Sequence, residues 1–154
     1  MAAVHAPYVT TPPEVIDGML SLAGVRKGDT VFDLGSGDGR IVIAAARKYG
    51  ARGVGIDIDP RRVAESAENA RKAGVAHLVE FREQDIFDAA LGEATVVTMY
   101  LLPGLHAELA PKLFRELRPG ARIVTHSFPM GSLKPARVAE VRGCRIFLWT
   151  VPAR

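Results

Sequence analysis

Four acidic side chains stand where short apolar segments of the chain end. Asp33 directly precedes a glycine-rich loop, Asp38 lies inside that loop, and Asp57 and Asp85 follow the next two apolar segments. A carboxylate accepts hydrogen bonds and attracts cations, whereas it repels phosphate groups. These positions therefore favour a ligand that carries hydroxyl or amine donors and a positive charge.

The loop after Asp33 has glycine at every second position, at Gly35, Gly37 and Gly39, and a helical pattern follows it. A strand, an acid, G-x-G-x-G and a helix are typical of nucleotide-binding loops in doubly wound folds. We expect Gly35 to permit a tight turn, Gly37 to let a ligand approach the backbone, and Gly39 to let the next helix pack closely. Such a loop alone also occurs in ordinary turns.

The later acids narrow the choice of ligand. Asp57 lies about 20 residues after the loop, where a carboxylate can accept from both hydroxyls of a ribose. Asp85 can accept from an exocyclic amine, and Ile58 and Ile86 offer apolar faces to a purine. Each acid could instead cap a turn or be a solvated strand end. Together with Asp33 they predict S-adenosylmethionine; NAD and ATP fit less well, since the loop is acidic and lacks a P-loop lysine.

Apolar runs alternate with helix-period segments, which predicts a parallel sheet with helices on both faces. We expect a first helix capped by the Thr11 side chain and ended by Gly24. The remaining predicted helices span 40–49, 60–73 and 103–117, and the predicted strands span 30–33, 53–57, 78–82, 94–100 and 122–126. Residues 136–141 and 145–151 are β-like runs, which predict an antiparallel hairpin at the sheet edge.

Composition is that of one globular domain spanning residues 1–154, with 48% hydrophobic and 24% charged residues and a net charge of +3. The single cysteine, Cys144, excludes an internal disulfide and favours the cytoplasm. The four scattered histidines predict no metal site. We see neither a signal peptide nor an apolar run long enough for a membrane span.

Three motifs, DLGSGDGR, GVGIDID and REQDIF, resemble those of class I S-adenosylmethionine-dependent methyltransferases. The segments PYVTTPPEVIDGML, TVVTMYLLP and PKLFRELRPGARIVTHSF are similar to those of small archaeal protein-lysine methyltransferases and of the mitochondrial enzyme that methylates a lysine of the ATP-synthase c-ring. The resemblance implies an α/β fold: a Rossmann-like, doubly wound, mostly parallel seven-stranded sheet with a C-terminal antiparallel hairpin. One departure is Thr10, where these relatives tend to have proline.

The residue pattern and the resemblance together predict the cofactor contacts. By resemblance, residues 1–13 form a leader that folds over the methionine end of the cofactor, and the Asp33 loop holds its amino acid part. The predicted cofactor-binding residues are Tyr8, Thr11, Asp33, Gly35, Ser36, Gly37, Asp57, Ile58, Asp85, Ile86 and Tyr100. The predicted catalytic residues, which line or adjoin a methyl-transfer funnel, are Tyr8, Tyr100, Pro103 and His126.

Methyl transfer from a sulfonium needs alignment and exclusion of water more than acid catalysis. A lysine acceptor must lose its proton, with an ordinary pKa of about 10.4, and an apolar channel would favour that loss. His126 is the best candidate base; its alternative interpretation is a hydrogen-bonded strand-end histidine.

The segment 100–103 is Tyr-Leu-Leu-Pro rather than the Asn/Asp-Pro-Pro-Tyr/Phe of base methyltransferases, which disfavours nucleic acid. A protein with an exposed lysine is the first hypothesis for the acceptor. A small molecule and a non-catalytic binding module are the alternatives, and the chain is expected to be a monomer or homodimer.

Overall fold

A computed structural model describes residues 9–154 of the chain. Its helices are α1 (Pro13–Leu22), α2 (Arg40–Tyr49), α3 (Pro60–Lys72) and α4 (Pro103–Glu116). Its strands are β1 (Thr30–Leu34), β2 (Arg52–Asp57), β3 (Val79–Glu83), β4 (Val96–Met99), β5 (Arg122–His126), β6 (Arg137–Val141) and β7 (Cys144–Thr150). These bounds confirm the predicted elements to within two residues, and one short 3-10 helix, Ile86–Asp88, was not predicted.

The strands form one sheet in the order β3-β2-β1-β4-β5-β7-β6. The first five strands pair in parallel, and β7 pairs antiparallel with both β5 and β6, which confirms the C-terminal hairpin. After β1, the strands β2 and β3 are added on one side of β1, and the chain then crosses over to place β4 on the other side. The carboxyl ends of β1 and β4 therefore flank the topological switch point, where doubly wound sheets bind ligands.

Side chains alternate between two cores on opposite faces of the sheet. Val31, Val96 and Val124 pack with α1 and α2, whereas Phe32, Val97 and Ile123 pack with α4. This period of two shows that the central strands are buried on both faces, as expected for parallel strands between helical layers. No helix in residues 9–154 is long and apolar enough to cross a membrane.

The start of α1 differs from the prediction in one respect. Its N-cap position is Pro12, which makes no side-chain cap, and Pro13 occupies the first helical position. The predicted cap, Thr11, is instead buried, and its hydroxyl lies 3.1 Å from the His126 imidazole. The predicted position of the helix start is thus correct, but the Thr11 hydroxyl contacts His126 and does not cap the helix.

Candidate functional site

A cavity of about 260 Å³ lies at the carboxyl edge of the sheet, at the switch point between β1 and β4. The predicted residues that line it are Thr11, Asp33, Gly35, Ser36, Gly37, Asp57, Ile58, Ile86 and Tyr100. The structure does not bring Asp85, Pro103 or His126 to this wall, and Tyr8 lies outside the described residues. Further lining residues are Val9, Thr10, Asp38, Arg40, Ile41, Asp59, Arg62 and Leu101.

The glycine loop between β1 and α2 turns through left-handed conformations, with φ of 80° at Gly35, 56° at Gly37 and 83° at Gly39. Such φ values favour glycine. Close approach also requires glycine at Gly39, because a Cβ there would lie 2.8 Å from the Phe81 ring. We expected Gly39 to let the next helix pack closely; the atoms nearest to a Cβ at Gly39 belong instead to the Phe81 ring on β3.

The amide groups of this loop are already engaged by the protein. The N–H groups of Gly35 and Ser36 both donate to the Ile56 carbonyl, at 2.8 and 2.9 Å. Gly37 N–H donates to Asp57 Oδ2 at 2.8 Å, and Gly39 N–H donates to the Ser36 carbonyl at 2.9 Å. Phosphate-binding loops present such amides to the anion. Here a polyphosphate would find these donors occupied and carboxylates beside them.

Two residues of α3, which sequence reasoning missed, hold the outer side of the loop. Ser66 Oγ donates to the Gly37 carbonyl at 2.8 Å, and Asn69 Nδ2 donates to the Asp38 carbonyl at 3.0 Å. Ser66 is fully buried, although it lies on a helix of largely polar sequence. The structure places Ser66 beside Gly39, a proximity that no pattern in the sequence indicates.

Asp33 is the most perturbed acid of the cavity. It lies at 3% exposure on β1, and its Oδ1 accepts a hydrogen bond from the Thr98 hydroxyl at 2.8 Å. Burial raises the pKa of the Asp33 carboxyl to about 8, although the Thr98 hydrogen bond opposes the rise. The carboxylates of Asp57 and Asp38 raise this pKa further. A cationic ligand group would relieve this penalty, whereas an anion would increase it.

The second acid of the loop, Asp38, lines the cavity, and its carboxylate raises the pKa of Asp33 as expected for added negative charge. Both of its oxygens also accept from the Arg40 guanidinium, at 3.1 and 2.7 Å, a pairing that was not predicted. Arg40 also donates to the Thr11 carbonyl at 3.3 Å. The Asp38 charge is therefore partly compensated, and the ion pair links the glycine loop to the segment before α1.

Asp57 ends β2 and supports the loop as well as lining the cavity. Its Oδ2 accepts from Gly37 N–H, and its Oδ1 accepts from Asp59 N–H at 2.9 Å. Hydrogen bonds from two backbone N–H groups fix the plane of the carboxylate, and each oxygen can still accept a further hydrogen bond. The same side chain can thus shape the loop and accept from a ligand hydroxyl.

The segment after β3 presents an isoleucine rather than an acid to the cavity. Asp85 caps the 3-10 helix, and its Oδ1 accepts from Phe87 N–H at 2.9 Å. Ile86 follows it and is buried in the cavity wall, while Ile58 lines the cavity from the end of β2. The two isoleucines therefore meet the geometric requirement for apolar faces, and Asp85 orients the turn that carries Ile86.

Tyr100 follows β4 and lines the cavity, and its ring lies 3.9 Å from the His126 ring, centroid to centroid. His126 is buried, and its Nδ1 contacts the Thr11 hydroxyl. Burial lowers the pKa of the His126 imidazole, and the nearby His106 lowers it further. This placement favours the alternative interpretation, in which His126 anchors the segment before α1 beneath Tyr100.

The largest omission of the sequence analysis is His106 on α4. It is fully buried, and its Nε2 accepts from Leu101 N–H at 2.9 Å, while its Nδ1 lies 2.7 Å from the Phe128 carbonyl. It joins the loop after β4 to the loop after β5. His106 lies three residues after Pro103, but no motif in the sequence marks it, because its role depends on the loops that it joins.

Comparison with known proteins agrees with this geometry. The profile of the ANTKMT methyltransferase domain matches residues 33–137. A protein-lysine N-methyltransferase of Saccharolobus islandicus is 42% identical over 138 residues, covering 89% of this chain and 86% of that protein. The mouse adenine nucleotide translocase lysine N-methyltransferase is 32% identical over 96% of this chain, which spans 64% of that protein's length.

A solved structure is also similar over nearly the whole length. It is a crystal structure described as an RNA methyltransferase from Salinibacter ruber in complex with S-adenosyl-L-homocysteine. It is 53% identical, with a TM-score of 0.93 and 95% coverage of both chains. The family match over residues 33–137, together with these relatives, shows that the chain belongs to the ANTKMT methyltransferase domain family and is an S-adenosylmethionine-dependent methyltransferase.

Proposed function

We propose that this methyltransferase acts on lysine side chains of proteins. The observation that carries the proposal is the 42% identity to a protein-lysine N-methyltransferase over 89% of this chain and 86% of that relative. Two further relatives, from mouse and human, are named as lysine N-methyltransferases of the adenine nucleotide translocase and of the ATP-synthase c-subunit. We expect acceptors with protruding lysines and therefore a broad range of proteins.

The residues of the cavity fit the cofactor. S-adenosylmethionine supplies an electrophilic methyl group on a sulfonium when it is bound. The buried Asp33 carboxylate suits its ammonium group, and Asp57 suits the ribose hydroxyls. Ile58 and Ile86 suit the purine faces, with Asp85 at the adjacent turn for the adenine amine.

The segment before α1 supports the proposed leader. Val9, Thr10 and Thr11 line the cavity, and Arg40 and His126 hold Thr11 in place. We propose that this leader closes over the methionine end of the cofactor. Tyr8 is proposed to contact the cofactor, as the resemblance implies.

The acceptor side of the site is apolar. Tyr100 and Leu101 line the cavity, and Leu102, at 48% exposure, and Pro103 lie beside them at the start of α4. No residue of this segment is a carboxylate. An apolar channel disfavours the ammonium form of lysine and so supplies the neutral amine without a dedicated base. Catalysis then depends on aligning nitrogen, methyl and sulfur, for which Tyr100 and Pro103 are the proposed residues.

RNA is the second candidate acceptor, because the Salinibacter ruber structure is described as an RNA methyltransferase. Two observations weigh against it. The Tyr100–Pro103 segment lacks the residues with which base methyltransferases grip a planar amine. The cations on the cavity wall, Arg40 and Arg62, contact Asp38 and Glu65, so their charge is partly compensated. A small-molecule amine, thiol or hydroxyl is the remaining alternative.

One labelling experiment separates these acceptors. The protein is incubated with methyl-labelled S-adenosylmethionine in three parallel reactions. The first contains cytochrome c and lysozyme, the second total RNA, and the third a small-molecule extract. We expect label on lysines, located by mass spectrometry. Asp57→Ala serves as the cofactor-deficient control. Glu93→Gln serves as the matched surface control, because Glu93 is exposed and precedes β4, at the opposite edge of the sheet from the cavity. Label confined to RNA or to small molecules would refute the proposal.

A further inference from the structure

We infer that His106 is a positioning residue for methyl transfer: it fixes the wall formed by Tyr100 and Leu101 against the loop after β5. The inference rests on the proposed function and extends it to a side chain outside the cavity lining. Its basis is two hydrogen bonds and complete burial of the ring, all within the described residues. His106 is not among the residues that line the cavity, so it acts through the two loops.

The partners of the ring determine its tautomer. Leu101 N–H can only donate, so Nε2 must carry the lone pair. The Phe128 carbonyl can only accept, so Nδ1 must carry the hydrogen. The ring is therefore neutral, with one donor and one acceptor, and burial lowers the pKa of the His106 imidazole in the same direction. Neither lysine nor arginine could replace it, since both only donate.

Both ends of this bridge are rigid and close to the chemistry. Leu101 is buried, and a Cβ on Gly35 would lie 2.7 Å from its side chain, so Leu101 packs directly on the cofactor loop. The Phe128 carbonyl also accepts from the Thr125 hydroxyl at 2.7 Å, and Phe128 N–H donates to the His126 carbonyl at 2.8 Å. That tight turn holds Ser127 at a φ of 67°.

The bridge therefore joins the cofactor loop to the aromatic residues beside the site. The Tyr100 ring lies 6.4 Å from the Phe128 ring and stacks on it at 21°. A shift of Leu101 would move Tyr100, which lines the cavity and is one of the residues proposed to align the methyl transfer. Small misplacements of this kind, of about 1 Å, can cost about a hundredfold in rate.

Two variants separate the two hydrogen bonds. In His106→Gln the amide oxygen can take the place of Nε2 and accept from Leu101. In His106→Asn the amide nitrogen can take the place of Nδ1 and donate to Phe128, but Leu101 N–H loses its acceptor. In His106→Gln the Phe128 carbonyl loses its donor, so each variant breaks one of the two hydrogen bonds that make the bridge. We therefore expect both variants to lower kcat about tenfold to a hundredfold. His77→Asn, at an exposed turn before β3, is the matched control and should change nothing.

Three measurements make the inference falsifiable. Calorimetry with S-adenosylhomocysteine should give dissociation constants within about threefold for all variants, so that the loss lies in kcat. Thermal melting excludes unfolded variants. Nitrogen NMR of the ring should show His106 protonated at Nδ1 and not at Nε2. The NMR and binding results do not depend on the acceptor, so they stand even if lysine labelling fails. An Nε2–H or doubly protonated ring, or folded Asn and Gln variants that both keep kcat within about threefold of the original, would overturn the inference.

Discussion

Asp33 should strengthen cofactor binding but lower the folding stability of the ligand-free protein, and the substitution Asp33→Asn tests both effects. Asparagine is close in shape to the protonated acid, and its Oδ1 can still accept from the Thr98 hydroxyl. The pKa of Asp33 is raised from 3.8 to about 8, so between these values the folded state retains a proton that the unfolded state has lost. The free energy of unfolding is therefore not reduced by Asp33 below pH 3.8, and it falls as the pH rises from 3.8 towards 8.

The magnitude follows from the distance between the working pH and the ordinary pKa of 3.8. At pH 7 about three pKa units, at about 1.4 kcal/mol each, amount to about 4 kcal/mol of free energy of unfolding. Asp33→Asn should recover up to that amount at pH 7 and about 2 kcal/mol or less at pH 5. Its affinity for S-adenosylmethionine should fall about tenfold to a hundredfold, because the ligand ammonium loses a charged partner.

The assay is urea denaturation of both proteins at pH 5, 6, 7 and 8 without ligand, followed by calorimetric titration with S-adenosylmethionine. Thr95→Ser, on the opposite edge of the sheet, controls for the perturbation of a hydroxyl network unrelated to the cavity. We expect the stability difference to widen with pH. A difference that is flat with pH, or an Asp33→Asn variant that binds the cofactor as tightly as the original, would refute the electrostatic reasoning.

Three further substitutions test other parts of the site. Asp57→Ala should weaken cofactor binding by about 1.5–3 kcal/mol in calorimetry, since ribose hydroxyls lose a charged acceptor; an unchanged dissociation constant would show that the ribose binds elsewhere. Gly39→Ala should lower the free energy of unfolding by about 2–5 kcal/mol, because Gly39 has a φ of 83° and a Cβ there would meet the ring on β3. The control Gly74→Ala should lower it by only about 1–2 kcal/mol, because Gly74 has a φ of 74° but no atom near its Cβ position. Thr11→Val should cost about 1–3 kcal/mol by leaving the buried His126 ring without its partner, and Thr11→Ser should restore it.

Local sequence patterns were sufficient to predict the fold. The first two strands are short apolar runs that end at Gly35 and Asp57, and each helix begins or ends at proline or glycine, so these boundaries are marked in the chain itself. The α2 helix, for example, is bounded by Gly39 and Gly50, both left-handed. The pattern also placed Asp33, Asp57 and the glycine loop correctly at one edge, because carboxyl ends of parallel strands meet there.

What the sequence did not reveal are the partners that particular side chains contact in the folded protein. Thr11 looked like a helix cap, but it bonds His126, 115 residues later. Asp38 lies beside the cavity as predicted, but its two hydrogen bonds from Arg40 were not predicted. His106 carried no motif of its own, since its role depends on the loops that α4 happens to face. Side-chain pairing of this kind is fixed by packing, which single-sequence periodicity does not encode.

Calorimetric titration at pH 7 in two buffers of different ionisation enthalpy tests the central claim most directly. Asp33, with a pKa of about 8, is mostly protonated in the free protein at this pH, while the ligand ammonium is already charged. S-adenosylmethionine should bind with release of most of one proton, and ATP, in the same cell, should give no binding heat. Tight ATP binding, or cofactor binding without proton release, would contradict a cavity built around a buried carboxylate.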